Sequence, residues 1–306
     1  MTLMIDRLSW GKQSAMPSTL AAYPADVHRE YVDHFMNDIA NVDAVLHITN
    51  VAEYFFTVSD DEFDTPERDF PNVAPPFDMF WMEFAAPRFW NVKGTIVPIQ
   101  ATAPRRWGVL MRAFPGPNKG WILGAKIVCE WEPGKIVNPL LTMEIPINAD
   151  GTLADGAWPT RAIAESLSHA EDNLVRLGKF MVKPCLLAIS FMHCKNVVMH
   201  AQDVPEKLGR AYRRRHGREL IRHHTIHIEP MKKVLATEGG IAENGLKKAL
   251  HICRGHWAQY GPQYGRGKLF GKIEGQFWIP AHVRGSAEQG VIDKRYVVHP
   301  PKDGAA

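Results

Sequence analysis

The sequence predicts an α+β protein: antiparallel sheets with flanking helices, closing on a basic, β-rich C-terminal region. Three observations carry that reading. Short apolar runs separated by turn residues fill 79–148, as strands do. Helical spacing of apolar residues takes over from 160. Charge then changes sign near residue 200: residues 1–200 carry 17 Lys+Arg against 23 Asp+Glu, whereas 201–306 carry 19 against 10, with eight of the fourteen histidines.

The elements follow in chain order. Residues 17–41 predict a turn and then a helix, with Pro24 in its first turn and Val27, Tyr31, Phe35 and Ile39 recurring every four residues. The acidic, proline-rich segment 57–78 predicts an exposed loop. Strands are expected over 79–85, 108–114, 121–131 and 136–148, with PGPNKG and EPGK turning the later ones into hairpins and NADGTLADG (148–156) as a connection. A helix over 160–181 is capped by Thr160, and a buried helix over 183–194 has Pro184 near its start. The segment 203–217 predicts a third helix: Asp203 caps it, Pro205 sits in its first turn, Gly217 ends it, and arginines crowd the C-terminus, where the dipole favours cations. Alternation in HHTIHIEP (223–230) predicts a strand with Ile226 and Ile228 inward, and KALHICRG, GQFWIPAHVRG and DKRYVVHP predict three more.

A chain of 306 residues can bury a substantial core. The charge break divides it into an acidic mixed region, 1–200, and a basic β-rich region, 201–306, or marks one continuous fold, since no long polar linker joins the two. No apolar run reaches the roughly eighteen residues of a membrane helix, and MTLMIDRLSWGKQ does not pattern as a secretory signal. Four cysteines without a CxxC pair make neither a disulfide scaffold nor a cofactor site, and point to a reducing, cytoplasmic setting. A C-terminal third this basic favours an anionic partner, nucleic acid first among them.

The chemistry-bearing stretch is HICRGHWAQY (251–260) with its echo WIPAHVRG (278–285). Between Lys248 and Gly285 the only acid is Glu274, so the clustered carboxylates of a two-metal nuclease are missing. Histidines among permanent cations suit metal-independent cleavage of RNA, in which a neutral imidazole takes the 2′-hydroxyl proton and a protonated one serves the leaving oxygen. That assigns His256 and His282 as acid and base, with Arg254 and Arg284 on the phosphate and Tyr260 or Lys268 assisting. The competing reading is strand packing by alternation. A third is a zinc set of His251, Cys253, His256 and His282, which the flanking cations disfavour. Arg213, Arg214, Arg215 and Arg218 cannot share one helical face, so some meet solvent or a phosphate backbone, and Tyr212 or Trp257 can stack on a base. No P-loop, GxSxG, HExxH or EF-hand pattern occurs.

With FMHCKNVV, PEKLGRAYRRRHGREL, HTIHIEP, RGHW, GQFWIPAHVRG and GVIDKRYVV in this order, residues 190–298 resemble a group of uncharacterised proteins of bacteriophages and other mobile elements. The resemblance implies a phage or prophage setting and assigns no catalytic residue. Together these readings predict a nucleic-acid-interacting protein, as a metal-independent ribonuclease or toxin-like enzyme; the alternative is a phage-encoded inhibitor, regulator or assembly protein acting by protein binding.

Overall fold

The computed structural model describes residues 3–8, 25–57, 70–86, 89–92, 95–98, 104–132, 135–162, 171–202, 204–217, 223–228, 249–253, 256–264, 267–269, 272–279, 282–284 and 286–292. The protein is α+β, and it divides into two compact units. The first comprises 1–193 and 197–227, and the second 194–196 and 228–306. The division falls near 227, and the arginine-rich helix belongs to the first unit.

In the first unit the described helices are α1 (Met4–Leu8), α2 (Ala25–Ala40), α3 (Thr49–Thr57), α4 (Glu171–Met192) and α5 (Glu206–His216). The strands of its large sheet are β1 (Ala44–His47), β2 (Met79–Ala85), β5 (Arg106–Pro115), β6 (Trp121–Glu132), β7 (Lys135–Ile147), β8 (Thr160–Ala162), β9 (Val197–Gln202) and β10 (His223–Ile228); β3 (Phe89–Val92) and β4 (Thr95–Pro98) pair separately. The sheet order is β8-β7-β6-β5-β2-β1-β10-β9. β5 to β8 make the expected antiparallel meander, whereas β1 runs parallel to both β2 and β10. The sheet is thus mixed. Its parallel part comes from the crossover β1–α3–β2, whose first two elements carry no periodic signal in the sequence.

Alternation along the strands sorts side chains onto two covered faces. Val45, Trp81, Leu110 and Val128 lie beneath α1 and α2, packed with Leu3, Met4, Ile5, Phe35 and Ile39. On the opposite side, a Cβ at Gly178 of α4 would meet Met143 and Leu141, and the Phe56 ring of α3 lies 4.7 Å from that of Phe180 and 6.4 Å from that of Phe84. A strand buried on both faces reads as an unbroken apolar run, which is why MFWMEFA is apolar at six of its seven positions. Gly108 is required by close approach: a Cβ there would stand 2.2 Å from the Trp81 ring.

Phe56, fully buried, joins α3, β2 and α4. Phe56→Ala should cost about 3–5 kcal/mol, the usual range for emptying a buried aromatic site. A urea denaturation midpoint unchanged from wild type would contradict this packing.

Several expectations change. Residues 160–162 form an edge strand, not a capped helix start: Thr160 Oγ1 donates to the Trp158 carbonyl, and the Thr160 backbone pairs with Met143. The helices expected over 160–181 and 183–194 are one, α4, with Pro184 in its interior. Proline removes one helical donor there, but Met181, Val182, Cys185, Leu186 and Ile189 are buried on either side, and that packing outweighs the lost bond. The segment 70–78 is partly folded in: Phe70 and Val73 are buried, Val73 N–H donates to the Gly151 carbonyl (2.7 Å), and Ser190 Oγ donates to that of Asn72 (3.0 Å). Among the described residues no helix is long and apolar enough to cross a membrane.

The second unit holds β11 (Ala249–Cys253), β12 (His256–Tyr260), β13 (Gly275–Ile279), β14 (His282–Arg284) and β15 (Ser286–Ile292). β11 lies between antiparallel β14 and parallel β15, and β12 pairs antiparallel with β13. The strand expected in DKRYVVHP lies outside the described residues. Residues 194–196 fasten this unit: Lys195 N–H donates to the Gln276 carbonyl (3.0 Å), and Asn196, fully buried, donates through Nδ2 to the Trp278 carbonyl (2.6 Å) and accepts the Trp278 N–H at Oδ1 (3.0 Å). The amide of Asn196 thus acts as a piece of backbone beside β13.

Candidate functional site

The arginine-rich segment forms the expected helix and glycine stop, but Pro205, not Asp203, is its N-cap residue, with no side-chain cap, and the helix begins at Glu206. Gly217 takes the left-handed conformation (φ 69°) and its N–H closes on the Arg213 carbonyl. Tyr212, a base-stacking candidate in the sequence, is instead buried and anchors α5, while Arg213, Arg214 and Arg215 are exposed. Arg210 pairs with Glu206 one turn back at 3.4 Å, both side chains largely in solvent, an arrangement that contributes little to stability. Arg218 and Asp203 lie outside the described residues. The next strand in the sheet order beyond β10, β9, carries His200 and the exposed Val198 and Met199.

The residues proposed in HICRGHWAQY and WIPAHVRG separate into two strand pairs. Backbone register sets His251 opposite Arg284 and Cys253 opposite His282 in β11–β14, and His256 opposite Ile279 in β12–β13. The strands of the echo adjoin, β11 with β14 and β12 with β13. His256 and His282, however, are not cross-strand partners: His282 is opposite Cys253, and His256 is opposite Ile279 in a separate strand pair. Arg254 lies outside the described residues, and the side chains of His251, Cys253, His282 and Arg284 are likewise not described, so the zinc set is represented by His256 alone. His256 is exposed.

The assisting residues have structural partners. Trp257 and Trp278, opposite each other, meet edge-to-face with centroids 4.7 Å apart. Tyr260 meets Phe277 in the same manner (5.7 Å) and packs on the cluster of Leu269, Ile273 and Phe277. Lys268 is held 2.8 Å from Glu274, the one acid of that stretch. The cysteines behave as expected of core: Cys185 and Cys194 are buried, and burial pushes the Cys194 thiol up to about 12.

The structure assembles a different polar cluster, where the C-terminal ends of β1 and β2 lie beside the N-terminal half of β10. The imidazoles of His47 and His223 meet edge-on with centroids 5.9 Å apart. Thr49 Oγ1 accepts the Ala85 N–H (3.0 Å) and lies 3.1 Å from His47 Nε2. Gln202 Nε2 donates to Thr225 Oγ1 (2.9 Å). Burial holds both imidazoles below the ordinary histidine range, and for His47 the neighbouring His223 and then Arg106 add to it. Both shifts favour the neutral ring, which can accept a hydrogen bond.

Beside His47 in the register lies Glu83, fully buried, whose carboxylate takes the Met4 N–H (2.9 Å) and the Trp81 Nε1–H (3.0 Å). Burial pushes its carboxyl up to about 7. Arg106 lies 3.5 Å from the buried Glu130. The sequence predicts paired histidines near a permanent cation in the last third of the chain; the structure pairs His47 with His223, one from each charge region. Its trace in the sequence is a repeated His-x-Thr, at 47–49 and 223–225. Nothing in the sequence joins the two; only the parallel pairing of β1 with β10 does.

Among the described residues no group of three or more His, Cys, Asp or Glu side chains is placed to hold a metal ion. Compared with known proteins, the chain matches no family model, no curated protein and no solved structure.

Proposed function

We propose that this chain is a nucleic-acid-interacting protein of the phage or mobile-element type, acting through phosphate contacts from α5. The observation that carries this is the row Arg213, Arg214 and Arg215, all exposed on a helix anchored by buried Tyr212. Guanidinium groups bind phosphate oxygens through a planar fork, without reading sequence. The net positive charge of residues 201–306 supports the same partner.

The test is affinity for duplex and single-stranded RNA and DNA across a salt series. Wild type should bind with a negative log–log slope. Changing Arg213, Arg214 and Arg215 together to alanine should weaken binding at least about tenfold and reduce the slope by about 2–3, since each phosphate left without its guanidinium keeps its counterion. No binding at low salt, or an unchanged slope in the variant, removes α5 as the interface.

A further inference from the structure

On the sheet face covered by α2, a cleft of about 180 Å³ opens between the C-terminal part of that helix and strands β5 to β8. Its wall is apolar at Leu110 and at Phe114, an exposed ring that carries the Arg112 guanidinium at 5.1 Å. Inside, the Asp38 carboxylate is taken up by Lys126 (2.6 Å) and Arg112 (3.6 Å).

The rim differs. Glu144 of β7 and Arg161 of β8 are both exposed and both line the cleft, and among the described residues neither side chain has an ion-pair partner. Arg161 lies opposite Thr142, so Glu144 is its diagonal neighbour two residues along, with backbones roughly 7–8 Å apart. Two long side chains of opposite sign, within reach of each other yet not joined, flank one opening onto an apolar wall.

The geometry points to a binding site for a free α-amino acid with an apolar or aromatic side chain. The ligand carboxylate meets the Arg161 fork, its ammonium meets Glu144, and its side chain lies against Leu110 and Phe114. A simple carboxylate leaves Glu144 facing an anion, and a simple amine leaves Arg161 facing a cation; a zwitterion satisfies both. The site is independent of α5 and of nucleic acid.

Titration calorimetry on the full chain tests this with L-phenylalanine, L-leucine, 3-phenylpropionate, phenethylamine and adenosine monophosphate. At least one of the two amino acids should bind with a Kd on the order of 1 mM or tighter, as expected for a ligand of this size. The two analogues, each lacking one charge, should bind at least about tenfold more weakly. Arg161→Gln and Glu144→Gln should each weaken amino-acid binding by about tenfold with Tm unchanged, since both side chains are exposed, and Glu144→Gln should leave 3-phenylpropionate no weaker. Absence of saturable binding by both amino acids, an analogue binding as tightly as phenylalanine, tighter binding of adenosine monophosphate, or unaltered affinity in both variants overturns the assignment.

Discussion

Glu83→Ala should destabilise the first unit by about 3–5 kcal/mol. The carboxylate is fully buried and accepts the Met4 N–H and the Trp81 Nε1–H. Removing it orphans three buried donors, the Ile5 N–H included, at about 1–3 kcal/mol each, and loosens α1 from the sheet. A separable pH effect comes with it. Burial raises the Glu83 carboxyl from 4.5 to about 7 in the folded chain, so between those values the folded state holds a proton that the unfolded chain has released. Stability is then full below about pH 4.5 and falls as pH rises toward 7, by about 3 kcal/mol for this one group. Glu83→Gln, neutral throughout, should flatten that part of the profile. Urea midpoints for both proteins from pH 5 to 8 decide it: parallel profiles would show that Glu83 does not titrate in this window.

The second large effect is expected at Asn196. Its amide exchanges two hydrogen bonds with the Trp278 backbone inside the second unit. Asn196→Ala leaves a buried N–H and a buried carbonyl unpaired, at about 2–4 kcal/mol in total. Asn196→Asp should be worse than alanine, because it keeps the acceptor but sets a carboxylate against the Trp278 carbonyl. Hydrogen exchange at the Trp278 amide and the near-ultraviolet signal of the Trp257–Trp278 pair report the loss. Protection of that amide unchanged in Asn196→Ala would show that residues 194–196 do not hold β13.

Local pattern carries much of the fold. The strand at 79–85 has the bounds expected, and those at 108–114, 121–131 and 136–148 are shifted by one or two residues, because PGPNKG and a double-sided apolar run are punctuation that needs no tertiary context. The Gly217 stop is legible for the same reason: a left-handed residue after an arginine-rich helix is a local event. Pattern fails where packing overrides it. Pro184 suggests a helix start but sits mid-helix, because α4 is buried on both sides of it. The segment 42–56 holds β1 and most of α3, elements too short for periodicity to mark.

The candidate sites divide along the same line. Exposure of Arg213 to Arg215 is readable from crowding on one helix, and the adjoining of HICRG with HVRG from their echo. The sequence by itself determined the α+β class, the charge polarity and the positions of most elements, since each depends on a few neighbouring residues. Only the tertiary structure decided that β1 lies between β2 and β10, bringing His47 against His223 across 176 residues. It alone brought Asp38, Glu144 and Arg161 to one cleft and fixed His256 opposite Ile279 rather than His282. Such juxtapositions depend on strand order and register, which are set by burying two faces of one sheet at once, a condition no local window contains.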